Sequence, residues 1–279
     1  VVRFKSDIFL KSFETRFGDS LAVNAAYSAS AFKGAAYGQI SQAWGKSRLT
    51  AGGRIDYFNL IDKVAFSPRV AYTVAFLPTS NLNWSVGRYY QAPSYVWLAA
   101  NPQNRSLNFV GVNQYVIGID HMVRADTKVS VEAYYKSYFD YPSSLTRSYL
   151  VLANTGAGFG GSQDGFASFG LDPLVSSGSG RARGIELLIQ KKLSEVPCYG
   201  TISVSYNQSD FKALDGVERP SSFDQRWIIN VGGGYVFNDK WEISTKFRYA
   251  TGRPFTPFDL NGFQNPASYN ADRIGANHS

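Results

Sequence analysis

The stretch KVSVEAYYKSYFDY, running from Lys128 to Tyr141, presents two different surfaces on alternate residues. Val129, Val131, Ala133, Tyr135, Phe139 and Tyr141 fall on one parity, broken only by Ser137. Lys128, Ser130, Glu132, Lys136 and Asp140 fall on the other, together with Tyr134 and Tyr138. Successive side chains of a strand point to opposite faces, so this segment predicts a strand with one apolar and one polar face. A helix would spread both classes around its circumference.

Working outward, the same alternation recurs. Ile185, Leu187, Ile189 and Leu193 alternate with Gly184, Glu186, Gln190 and Lys192. Ile202, Val204 and Tyr206 alternate with Ser203, Ser205 and Asn207, and Trp241, Ile243, Phe247 and Tyr249 with Glu242, Ser244, Lys246 and Arg248. Leu49, Ala51, Ile55 and Tyr57 alternate with Arg48, Thr50, Arg54 and Asp56. The pattern predicts about eleven strands, several of roughly 10–14 residues, the length at which a tilted strand crosses a bilayer. No segment carries an amphipathic-helix pattern with capping signals.

The connections sort by end. Short turns are predicted near Gly45-Lys46, Pro78–Asn81, Arg124–Thr127, Glu195–Pro197 and Asn238-Asp239. Between them lie a modest turn at Asn59–Asp62 and long segments at Gln91–Asn113, Asp140–Gly180, Phe211–Ser222 and from Pro254 onward. Aromatic residues gather at both ends: Trp44, Phe76, Trp84, Tyr199, Phe237 and Trp241 at the tight end, and Tyr57, Phe58, Tyr89, Tyr90, Tyr138, Phe139, Tyr141 and Tyr249 at the loop end. Alternation, one-sided loops and two aromatic belts together describe a membrane-spanning antiparallel β-barrel. A soluble sandwich shares the alternation but has no reason to sort its loops by end.

Bulk composition narrows the classes further. The chain has 279 residues with 44% apolar and 18% charged content, the latter below the roughly 25% of a soluble domain. A mean hydropathy of −0.20 and an apolar run no longer than Val70–Leu77 exclude membrane helices. A single cysteine, Cys198, excludes a disulfide framework and cysteine zinc clusters. The chain opens at Val1 without an initiator methionine and stops at Ser279 in a loop-like stretch, so it is expected to be a piece of a larger protein. Residues 1–279 are expected to form one partial barrel domain, with no second domain.

Enzymatic chemistry finds little support. Gly156–Gly161 matches G-x-G-x-x-G, but no helix pattern follows, so the match reads as a flexible loop. The two histidines, His121 and His278, lie beside a tight turn and at the end of the chain. A catalytic triad would have to use one of them; His121 reads better as structural or interfacial. No H-x-x-x-H, C-x-x-C or calcium-loop spacing is present, so neither a metal site nor a cofactor is expected. The net charge of +7 is spread over the polar parity of strands at Arg54, Arg69, Lys128, Lys136, Lys192, Lys246 and Arg248, rather than in a compact basic run. A basic interior wall is therefore expected, and not a nucleic-acid site. Arg88, Tyr89, Gln91, Tyr95, Trp97 and Arg105 run from a strand end into the first long loop. They combine stacking with hydrogen bonding, as capture of a polar organic ligand requires; the same residues also fit an interfacial belt ended by Pro93.

Several segments in order resemble the barrel half of TonB-dependent outer-membrane receptors. Gly53-Arg54-Ile55-Asp56-Tyr57 is similar to their G-x-R-x-D strand, and Phe66-Ser67-Pro68-Arg69-Val70 to the strand that follows it. Gly87 to Ser94 resembles a strand-to-loop segment, and Arg183-Gly184-Ile185-Glu186-Leu187 a later strand. Phe223 to Arg226, and Gly252 to Pro257 with Arg253 and Pro254, resemble late-barrel elements. The resemblance implies a barrel of about 22 strands, an N-terminal plug in its lumen and energy passed from a TonB complex. It implies a non-enzymatic protein of the bacterial outer membrane that contacts lipid and imports a scarce nutrient. The alternative from the residues alone is a passive porin-like or structural barrel of about twelve strands.

Overall fold

The structure, a computed structural model, describes residues 4–10, 15–16, 22–23, 27–152 and 172–254. The Gly156–Gly161 stretch, His278 and the end of the Gly252–Pro257 segment lie outside these residues. The chain folds into one antiparallel sheet built almost wholly from neighbours in sequence. Its strands are β1 (Phe4–Leu10), β4 (Tyr27–Trp44), β5 (Ser47–Phe58), β6 (Lys63–Leu77), β7 (Ser80–Gln91), β8 (Val110–Arg124), β9 (Thr127–Ser144), β10 (Leu174–Lys191), β11 (Cys198–Lys212), β13 (Trp227–Asn238) and β14 (Trp241–Ala250). They pair in that order as an eleven-strand path, with the short β12 (Glu218–Pro220) beside β11. β2 (Thr15–Arg16) and β3 (Ala22–Val23) form a separate ladder. β1 and β14 do not pair with each other among the described residues, so the sheet is an incomplete barrel.

Register aligns the alternation of every strand. Leu49, Tyr72, Trp84, Ile117, Ala133, Ile185, Tyr206 and Trp227 are cross-strand partners in succession from β5 to β13. A one-residue slip anywhere would break this row, because it would turn a strand's apolar set to the other face. The neighbouring row on the opposite face reads Arg48, Thr73, Asn83, Gly118, Glu132, Glu186 and Ser205. On the apolar face Ile40 is 77% exposed, Val64 65% and Ile243 64%. A soluble domain does not leave so continuous an apolar surface open. Lipid hydrocarbon suits it, and the polar face becomes the barrel interior.

The tight ends form as expected. β4 and β5 are joined by Gly45-Lys46, with Gly45 at φ +55°, the left-handed backbone that a two-residue hairpin needs. At the turn between β8 and β9, Lys191 and Ser194 both bond the Asp126 carboxylate. Together with Thr127 they hold that carboxyl well below the usual range.

At the loop end the strands run further than the sequence pattern predicts. β9 passes through Asp140, at φ +58°, and its register with β10 slips nearby. β10 begins at Leu174 rather than after Gly180, and β8 at Val110 rather than Asn113. Strands beyond the membrane need no apolar face, so their alternation fades while their pairing continues. The first long loop also contains a helix that the pattern missed, α1 (Tyr95–Ala100), followed by a 3-10 turn at Pro102–Ser106. Six residues are too few to show an amphipathic period.

The belts are also redistributed. Trp44, Phe76, Phe237 and Trp241 mark the tight end of the apolar face, whereas Tyr199 lies on the polar parity. At the loop end Tyr115, Tyr135, Tyr206, Trp227 and Tyr249 close the apolar face. Phe58, Tyr89 and Tyr138 turn to the interior instead.

Candidate functional site

The packed core is small and sits at the loop end. Ala31, Phe58 and Ala65 belong to the interior parity of β4, β5 and β6, and they join Trp97, Leu98, Leu107, Phe109, Leu150, Leu152 and Leu174 in one buried cluster. The described residues of the loops after β7 and β9 therefore pack inward at the mouth of the barrel.

Asn104 ties these loops together. Its side chain is fully buried. Nδ2 donates to the Trp97 carbonyl at 2.8 Å and the Asp172 carbonyl at 3.1 Å, while Oδ1 accepts from the Leu174 amide at 2.7 Å. A second clamp lies beside it. Arg147 grips the Asp172 carboxylate at 2.9 and 2.7 Å, and Ser144 donates to it at 2.5 Å. Burial pushes the Asp172 carboxyl up, but the Arg147 and Ser144 hydrogen bonds outweigh burial and leave it below its ordinary value. On the far side Lys63 donates to the Ser106 carbonyl and to Asn108 Oδ1, each at 2.6 Å. Lys33 sits between two rings, 4.3 Å from Phe58 and 4.2 Å from Tyr95. None of these roles is legible in sequence, because loop residues carry no periodicity to reveal them.

The six ligand candidates separate. Tyr89 and Gln91 fall on the interior parity of β7 and are exposed. The Tyr89 ring lies along the wall over Gly87, where an added Cβ would meet it at 2.8 Å. Arg105 is exposed on the 3-10 turn. Tyr95 packs edge-on against Phe58 at 5.5 Å, and Trp97 is buried in the cluster. Arg88 falls on the apolar parity, bonded to Asn113 and stacked over Phe139.

Below the mouth, the interior wall is polar and partly charged. Arg54 holds Asp56 at 2.7 Å, and Lys128 holds Asp120 at 3.0 Å. Arg69 reaches Gln39 at 3.3 Å. Glu132 and Glu186 stand directly opposite each other on β9 and β10, and among the described residues neither has an ion-pair partner. Gly184, two residues before Glu186 on the same face, lies between Tyr134 and Asn207, whose side chains bond across it at 2.5 Å. Gly53 and Arg183 face outward, the latter bonded to Gln208 at 2.8 Å. Arg253 lies 6.0 Å from the Phe223 ring, and Pro254 follows it beyond β14. His121 bonds Ser80 at 2.7 Å in the tight-end region. No group of three or more metal-ligating side chains occurs among the described residues.

An apolar exterior, a polar interior and loops packed inward at one mouth define the wall of a membrane β-barrel transport protein. The chain belongs to the family of TonB dependent receptor-like β-barrels, whose model matches residues 5–274. These are outer-membrane receptors and not enzymes. Similar solved structures include the outer membrane transporter YddB from Escherichia coli, with a TM-score of 0.62, 12% identity, 83% of this chain covered and 34% of the other. The FrpB iron transporter from Neisseria meningitidis gives 0.59, 13%, 80% and 33%. The alcaligin outer-membrane receptor FauA from Bordetella pertussis gives 0.57, 13%, 81% and 38%. At these identities the likeness is one of fold, and the chain spans about a third of the length of YddB and FrpB. No curated protein matches the chain.

Proposed function

We infer that residues 1–279 belong to a single barrel domain of an active-transport receptor in the outer membrane of a Gram-negative-type bacterium. The receptor captures a scarce nutrient at its external loops and passes it through a plugged lumen with TonB-coupled energy. The observation that carries this reading is the interior wall, above all the Glu132–Glu186 pair. Two carboxylates facing each other with no ion-pair contact, and with Lys136 as a nearby cation, leave acidic charge on the lumen wall that favours a basic partner. A plug domain presenting basic side chains would pair with them, whereas a water-filled passive pore would only hydrate them.

Tyr89, Gln91 and Arg105 are the residues we assign to ligand contact. Tyr95 and Trp97 shape the mouth by packing beneath the loops. FrpB is an iron transporter and FauA an alcaligin receptor, which makes iron chelates the first ligands to try.

Uptake of labelled iron chelates by cells carrying the full-length gene tests this. Transport that disappears on deleting either the gene or TonB supports the reading. Diffusive uptake that survives loss of TonB favours a passive barrel.

A further inference from the structure

The apolar face ends at a sharp upper line, and arginine stands on it. On β7 the outward residues run Leu82, Trp84, Val86 and then Arg88; on β10 they run Leu187, Ile185 and then Arg183. Both arginines are exposed. Each is held by a neutral amide: Arg88 Nε donates to Asn113 Oδ1 at 2.8 Å, and Arg183 donates to Gln208 Oε1 at 2.8 and 3.2 Å. Arg88 also stacks 5.4 Å over the Phe139 ring. One row higher, Arg181 is neutralised by Asp210 and Glu218. Among the described residues Arg88 and Arg183 have no carboxylate partner.

An amide partner orients a guanidinium without cancelling its charge. The remaining N–H donors form a fork that suits phosphate. Arg183 is the cross-strand partner of Tyr135 within the aromatic belt, and Arg88 stands one outward row beyond Tyr115, so both forks lie at the interfacial depth where lipid headgroups begin. Arginine on a lipid-facing parity is costly at mid-bilayer and tolerated at the interface. The positions are three strands apart, which places them roughly 14 Å from each other along the sheet.

We propose that Arg88 and Arg183 form a binding site for the phosphate groups of a phosphorylated glycolipid in the outer leaflet. Asn113, Phe139 and Gln208 preset the two guanidinium planes. The site lies outside the barrel, so it is separate from the route of the transported ligand. This inference rests on the membrane-receptor reading, because the apolar face must lie in lipid with its loop end outward.

The test uses the full-length protein in detergent, titrated by native mass spectrometry with three probes: bis-phosphorylated lipid A, the same lipid after dephosphorylation, and inorganic phosphate. The proposal expects the phosphorylated lipid to bind about tenfold more tightly than the dephosphorylated one. It also expects the R88Q/R183Q variant to lose that preference, and inorganic phosphate to bind neither protein. Equal binding of the two lipids by the unaltered protein overturns it without reliance on any variant. A preference that survives in R88Q/R183Q, or inorganic phosphate competing as well as the lipid, also overturns it. Insertion into liposomes is measured in parallel. Failure to insert overturns the receptor reading along with this one, whereas insertion without a phosphate preference overturns this one alone.

Discussion

Tyr134 and Asn207 join hands across Gly184: the Tyr134 hydroxyl donates to Asn207 Oδ1 at 2.5 Å, from β9 to β11 over the intervening β10. A Cβ on residue 184 would stand 2.7 Å from the Tyr134 hydroxyl, 2.9 Å from Asn207 Oδ1 and 2.6 Å from the Tyr206 carbonyl. The glycine of the motif is therefore explained by a bond that passes over it.

Gly184→Ala is expected to destabilise the barrel by about 1–3 kcal/mol through this overpacking. Tyr134→Phe alone should cost about 1 kcal/mol, the usual net worth of one hydrogen bond. In the Gly184→Ala background, Tyr134→Phe should cost measurably less. Urea unfolding of the single and double variants of the full-length protein reads the coupling; strictly additive costs would mean the bond does not span residue 184.

Asn104→Ala removes the partner of one buried amide and two carbonyls. Each buried group left without a partner costs about 1–3 kcal/mol. The loss falls on the loops and not on the sheet. Limited proteolysis should cut residues 92–109 and 145–152 faster, while the unfolding midpoint of the barrel stays unchanged.

The Arg147–Asp172 clamp gives the mouth a dependence on pH. The Asp172 carboxyl is lowered from an ordinary value of 3.8. A depressed carboxyl adds stability that is fully present above the unfolded value and is lost as pH falls through the folded one. Hydrogen-exchange protection factors at residues 145–152, taken relative to the intrinsic rate at each pH, should therefore be high and flat above about pH 4 and should fall as pH drops below it. Asp172→Asn should lower these protection factors on both sides of pH 4 and abolish their dependence on pH.

The strands were legible in sequence and the mouth was not. Lys128 to Tyr141 shows its faces because one side meets lipid and the other water, and that contrast repeats every two residues. Above the membrane both sides meet water, so the extensions of β9 to Ser144 and of β10 to Leu174 leave no trace in the pattern. Trp97 and Arg88 show the same limit from the other direction. Residue type suggested ligand contact for both. Trp97 is buried under the loops, and a single step of parity places Arg88 on the outer face. Asn104 had no signal at all, since its role comes from loops brought together across about 70 residues.

Ile202 and Thr201 are adjacent, both exposed and on opposite faces. Ile202→Arg places a charge in hydrocarbon and should cost about 2–4 kcal/mol. Thr201→Arg points into the lumen and should cost less than about 1 kcal/mol. Equilibrium unfolding of both variants in lipid vesicles compares them directly.

The central claim is that, from Val129 to Lys136 of β9, odd-numbered residues face lipid and even-numbered ones face the lumen. Single cysteines placed in turn at positions 129 to 136, in a full-length protein with Cys198→Ser, test it most directly. Each is labelled with a fluorophore and challenged with brominated lipid and with an aqueous quencher. The account predicts strict alternation, with lipid quenching at 129, 131, 133 and 135 and aqueous quenching at 130, 132, 134 and 136. Uniform quenching along the strand, or the opposite parity, would contradict it.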